Sequence, residues 1–144
     1  MPPGPLHCAG RLNSGVRPQH EVLLQSQIKA MQIHYLEIVT EDVDAVCAAY
    51  TAMKDVQFGE PEAALGNART AALAGGGLVG VRAPLRETEN PVVRPYWLVE
   101  DIAAAVAAVV EAGGQVAVPP TEMPGYGTFA IYLQGGNDHG LWQL

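Results

Sequence analysis

The sequence is short of several things, and each shortage excludes something. It holds two cysteines in 144 residues, Cys8 and Cys47, with no C-x-x-C spacing. A disulfide framework needs more cysteines in a shorter secreted chain, and a cysteine-built metal site needs paired ligands. Cys47 sits in an alanine-rich apolar run and reads as a small buried hydrophobe. No stretch approaches 18 consecutive apolar residues, so none has the length to cross a bilayer as a helix. Positive charge is scarce beyond residue 30, with five basic against fourteen acidic side chains, a balance of −9 in a chain of −7 overall. Nucleic acid and anionic membrane surfaces both require concentrated lysine and arginine, so neither is expected as a partner. A P-loop, an H-E-x-x-H helix and a dinucleotide fingerprint are also missing, and GGGLVG at 75–80 precedes no helix pattern and reads as a hairpin turn. What remains is a chain expected in the cytoplasm, with 49% apolar residues, enough for one core.

Residues 1–30 are rich in proline, glycine and polar side chains and show no sustained apolar period. Met31 immediately precedes the first strand pattern, QIHYLEIV. The expected organisation is an N-terminal extension over 1–30, flexible or accessory, followed by a folded body over 31–144.

That body repeats itself. YLEIVTEDVDA at 35–45 is echoed by RPYWLVEDIAAA at 94–105, a shift of 59 residues. In the same register Glu41-Asp42 falls on Glu100-Asp101, Pro61 on Pro120, Gly66 on Gly125 and Gly76-Gly77 on Gly135-Gly136. Ordered Asp, Pro and Gly matches in one register mark two copies of one unit, about 31–90 and 91–144. Each copy predicts a strand (32–40; 93–99), an acidic helix start where carboxylates cap free N–H groups, and an alanine-rich helix (43–53; 102–112). Three short strands follow in each: 56–59, 69–73 and 78–83, then 115–118, 128–133 and 140–143. Each unit is βαβββ, and the fold class is α+β, with two modules forming a curved mixed sheet around a central cleft and the helices outside.

Two βαβββ modules opening on "strand–Asp–x–x–x–Ala", with a second module reading AVPPTEMPGYGTFAIYLQGGNDHGLWQL, resemble the vicinal oxygen chelate superfamily, the glyoxalase/bleomycin-resistance/dioxygenase fold. The closing G-L-W strand is similar to a branch whose members are called glyoxalase-like or hydroxylase. The resemblance implies a homodimer and a small-molecule cleft. It also implies four metal-ligand positions, a His on each opening strand and a carboxylate on each closing strand, which leave a divalent ion free to hold two substrate oxygens. Those positions carry Tyr35, Gly80, Arg94 and Gly140. Arginine cannot ligate a cation and glycine has nothing to offer, so no metal and no other cofactor is expected. His34 is one residue from its slot, and alternation sends it to the opposite face, toward the helix. Asp138 and His139 read as part of the hairpin turn GGNDHG.

If Tyr35 and Arg94 face inward, alternation adds Glu37 and Tyr96, while Arg82 and Trp142 follow two residues beyond the glycines. Arg82, Arg94, Tyr96 and Trp142 are the expected ligand-binding set, suited to an aromatic or carboxylated ligand through arginine forks and a stacking face. Glu37 as a base and Tyr35 as an acid are the catalytic candidates. Three functions fit: a metal-free small-molecule binding protein; an enzyme of the same superfamily, such as a lyase, isomerase, dioxygenase or hydroxylase; or an interaction module whose cleft has collapsed. In the last, Glu37 would simply pair with the arginines, because an unpaired buried charge costs several kcal/mol.

Overall fold

Alternation in YLEIV and VRPYWL places one face of each opening strand toward a helix and the other toward a cleft, and the two strands pair directly. A computed structural model describes residues 30–144. β1 (Ile33–Val39) runs antiparallel to β4 (Val92–Leu98), with Tyr35 opposite Tyr96 and Glu37 opposite Arg94. Each opening strand also pairs in parallel with the closing strand of its own module. β1 lies beside β3 (Leu78–Arg82), with Glu37 against Gly80, and β4 lies beside β7 (Asn137–Gln143), with Tyr96 against Gly140. Adding β2 (Arg69–Ala72), β5 (Gln115–Met123) and β6 (Gly127–Gln134) gives one seven-stranded mixed sheet ordered β2-β3-β1-β4-β7-β6-β5. The two modules thus meet along the β1–β4 seam.

The helices α1 (Val43–Lys54) and α2 (Ile102–Glu111) cover one face of the sheet. Cys47 of α1 packs with Ile38, Val79 and Val81, and Ile102 of α2 packs with Ala130 and Leu141. Cys47 is fully buried there, as its apolar setting predicts. The acidic helix start acts as a cap in the second copy only. Asp101 accepts from the Ala104 amide at 3.0 Å, whereas Asp42 makes no side-chain cap and Thr40 Oγ1 accepts its amide instead. α2 stops at Gly113, whose φ of +93° suits a residue without Cβ.

The symmetric eight-strand expectation fails at one place. Residues 56–59 form no strand, and the segment that follows makes only a turn of 3-10 helix (Ala63–Leu65) and a bridge between Glu62 and Ala68. The Arg69 guanidinium donates to the Gly59 carbonyl at 3.0 Å and the Phe58 carbonyl at 3.4 Å, so a side chain supplements the single backbone bond where a ladder was expected. In the second copy β5 is a true edge strand. It passes through Pro119 and Pro120 with register shifts, which an edge tolerates because it has no second neighbour to satisfy. No helix among the described residues is long and apolar enough to cross a membrane. Residues 1–29, with Cys8, His7 and His20, lie outside the described residues.

Candidate functional site

On the face opposite the helices, all six residues singled out from the sequence line a cavity of about 210 Å³: Tyr35, Glu37, Arg82, Arg94, Tyr96 and Trp142. The β1–β4 seam brings Tyr35, Glu37, Arg94 and Tyr96 together, and the parallel partners β3 and β7 supply Arg82 and Trp142. Its walls are aromatic. The Trp142 ring centre lies 5.6 Å from Tyr35, 5.7 Å from Tyr96 and 6.3 Å from Phe129, in tilted and edge-on arrangements. The indole N–H is held by the Tyr126 carbonyl at 2.9 Å, which fixes the ring. Leu65, Met123 and Ile131 complete the apolar lining.

At the floor the charged side chains form one chain. Glu37 is its centre: Oε2 accepts from Arg82 Nε at 2.9 Å, and Oε1 accepts from Arg94 Nη1 and from the Tyr96 hydroxyl at 3.0 Å. Arg82 then holds Glu89 through a bidentate fork at 2.7 and 2.9 Å, and Arg94 Nη2 holds Asp138 at 2.9 Å. Three carboxylates and two guanidiniums, with Glu37, Arg82 and Arg94 all buried, therefore run across the cleft floor. Burial, then the neighbouring Glu37 charge, pushes the Tyr35 and Tyr96 phenols well above their ordinary value. The Tyr35 hydroxyl and Arg94 Nε are buried without a hydrogen-bond partner.

The glycines at the closing strands leave little room, because the tyrosines have taken it. A methyl group at residue 80 would fall inside the Tyr35 hydroxyl and 2.5 Å from its Cζ, and one at residue 140 would fall inside the Tyr96 ring. Each glycine is the seat of a tyrosine from the strand beside it.

Three features escaped the sequence. Asp138 lies on β7, not in the turn, which closes at Gly135-Gly136. Counting back by two from Trp142 through Gly140 would have placed it on the cleft face. His139, its neighbour on β7, faces the other way and stacks on Tyr132 at 5.0 Å. Glu89 comes from the loop after β3, where no periodicity marks a residue for the cleft. His34 sits at a register irregularity between Ile33 and Tyr35, and its ring lies 5.6 Å from Trp142 rather than against a helix.

No known family profile and no curated protein matches this chain. Solved structures do. A hypothetical protein from Bacillus halodurans C-125 superposes with a TM-score of 0.62 at 15% identity, over 81% of this chain and 96% of that one. A methylmalonyl-CoA epimerase from Mycobacterium tuberculosis gives 0.60 at 16%, over 77% and 86%. A Streptomyces coelicolor methylmalonyl-CoA epimerase in complex with 2-nitronate-propionyl-CoA gives 0.57 at 17%, over 78% and 96%. The chain has the vicinal oxygen chelate fold.

Among the described residues, the ligand positions of this fold lack the donors that a divalent ion takes. The cleft offers a phenol, two guanidiniums and two glycines at and around the ligand positions, and both Glu37 oxygens already accept hydrogen bonds from cations. Among the described residues no three His, Cys, Asp or Glu side chains converge as a metal site requires.

The charge chain has a pH signature. The hydrogen bond from Arg82 holds the Glu89 carboxyl at about 2, below its ordinary 4.5. A carboxyl depressed on folding adds stability that is complete above about 4.5 and is lost as pH falls through about 2. Urea midpoints of the parent and of Glu89→Gln should therefore differ by a constant amount near neutrality and converge as pH drops through that window. A gap that persists unchanged to the acid end would contradict the Arg82–Glu89 pairing.

Proposed function

We propose that this chain is a metal-free small-molecule binding protein that holds an aromatic ligand in the cleft between its modules. The observation that carries the reading is the coexistence of a charge chain, its carboxylates and guanidiniums holding one another, with an open, aromatic-walled cavity. A collapsed interaction module would show the first without the second. The cavity is smaller than the roughly 300–1,000 Å³ of drug-sized sites, which favours ligands of one or two rings.

Binding is favoured over catalysis because Glu37, the candidate base, is committed to the charge chain, and Tyr35, whose hydroxyl has no partner, is a weak acid. Glu37 is engaged by three donors, which leaves little lone-pair capacity for abstracting a proton, and a phenol raised like that of Tyr35 is a poor proton donor at neutral pH. The epimerase likeness is one of fold. An isomerase, lyase, dioxygenase or hydroxylase reading would need a free base or a convergent set of metal ligands, and the cleft carboxylates among the described residues are each held by an arginine. Sequestration or carriage in the cytoplasm, by a chain paired with a second copy, is the corresponding cellular role.

A thermal-shift screen against one- and two-ring aromatic compounds tests this. A ligand at one hundred times its Kd should add about 2.7 kcal/mol of stability, several degrees in Tm. Phe129→Ala, which removes one wall, should abolish that shift while the chain stays folded. A folded parent that no compound stabilises would sink the reading.

A further inference from the structure

The sequence points to an arginine fork for a ligand carboxylate, yet the fork of Arg82 is already filled by a carboxylate from this chain. Arg82 is 5% exposed, and both its terminal nitrogens donate to Glu89, at 2.7 and 2.9 Å. Glu89 stands on the loop after β3 and lines the cavity together with its neighbour Leu85, whose amide donates to Glu89 Oε1 at 2.8 Å. Leu85 is 65% exposed, which places this loop at the cavity mouth. Glu89 thus makes from within the contact that a carboxylated ligand would make from outside. The remaining fork, that of Arg94, is divided between Glu37 and Asp138.

We infer that Glu89 sets the charge preference of the cleft: it makes the cavity a site for uncharged aromatic molecules, and its removal converts the same cavity into one for aromatic carboxylates. The inference rests on the binding reading proposed above. Its physical basis is that three carboxylates already face two guanidiniums in a poorly solvated floor. A ligand carboxylate would add a further negative charge there and would have to displace an intramolecular bidentate pair to find a donor. An uncharged ring meets no such opposition, because the walls above the floor are Tyr96, Phe129, Trp142 and aliphatic side chains. Without Glu89, two parallel N–H donors of Arg82 are freed beside the ring site, and the floor loses its excess negative charge.

The test uses the full chain and matched amide and acid pairs, benzamide with benzoate and 2-naphthamide with 2-naphthoate, titrated by calorimetry near neutral pH. The parent should bind at least one amide about tenfold more tightly than its acid. Glu89→Ala should tighten the acid by about tenfold or more while moving the amide little. Glu89→Gln, which keeps side-chain length and an acceptor for the Leu85 amide, serves in its place if the alanine variant does not fold. A parent that binds acid and amide equally, or prefers the acid, overturns the role of Glu89 and leaves the binding reading standing. Unchanged acid affinity in both variants does the same. A parent that takes up no member of either pair overturns both.

Discussion

Replacing Glu37 by alanine is expected to destabilise the fold by about 3–5 kcal/mol, the largest single-residue effect in the cleft. Its side chain joins the two halves of the ionic chain. Arg82 and Arg94 both donate to it, and with it gone each is left with one carboxylate, Glu89 or Asp138. Two buried guanidiniums would then face each other across the volume the carboxylate had filled, and the Tyr96 hydroxyl would lose its acceptor. Because a domain of this size has a total stability of only about 5–15 kcal/mol, the loss should appear as a large fall in urea midpoint, or as failure to fold. Glu37→Gln keeps an acceptor and the volume but not the charge, and should fall between the parent and alanine. A cost below about 1 kcal/mol for alanine would mean that the arginines find satisfaction without Glu37.

Gly80→Ala carries the second large effect. The added methyl would overlap the Tyr35 hydroxyl, and that ring cannot swing aside easily because Trp142 and Tyr96 pack against it at 5.6 and 5.8 Å. Overpacking of this kind costs about 1–3 kcal/mol. The diagnostic is its dependence on Tyr35. In a Tyr35→Leu background the hydroxyl and distal ring are absent, so the same Gly80→Ala change should cost little, giving a coupling of about 1–3 kcal/mol in the double-mutant cycle. Additive costs would contradict the reading that the glycine exists to seat the tyrosine.

The repeat made this architecture legible. A shift of 59 residues aligned Tyr35 with Arg94 and Glu37 with Tyr96, and period-2 alternation then put all four on one face. That reasoning works because the opening strands are central in the sheet, paired on both sides, so their register is strongly held. It fails where pairing weakens. Residues 56–59 alternate like a strand but form none, and the Phe58 and Gly59 carbonyls are taken by Arg69, a contact that no local pattern announces. Asp138 was assigned to a turn because GGNDHG is dense in turn formers, yet only its two glycines, both at positive φ, make the turn. The β-sheet irregularity that redirects His34 is a single-residue event within a regular alternation.

The site was half visible for a related reason. Residue type and face can be read for Tyr35, Glu37, Arg82, Arg94, Tyr96 and Trp142, and the pairing of Glu37 with the arginines is among the readings, but their second partners are not. The arginines looked available to a ligand because their partners were out of sight. Glu89 is seven residues beyond Arg82 on a loop, and Asp138 is 44 residues beyond Arg94 on a strand from the other end of its module. The space beside Gly80 and Gly140 is likewise filled by the rings of Tyr35 and Tyr96, which strand alternation does not announce. Under the proposed binding function, both features favour a ligand that stacks beside Phe129, Trp142 and Tyr96 over one captured as an anion.

The most direct test of the central claim is to measure the affinity of a stabilising aromatic ligand before and after exhaustive chelation, with elemental analysis of the freshly purified chain. The account predicts no stoichiometric divalent ion and an affinity unchanged within about twofold. A stoichiometric ion whose removal abolishes binding would contradict it.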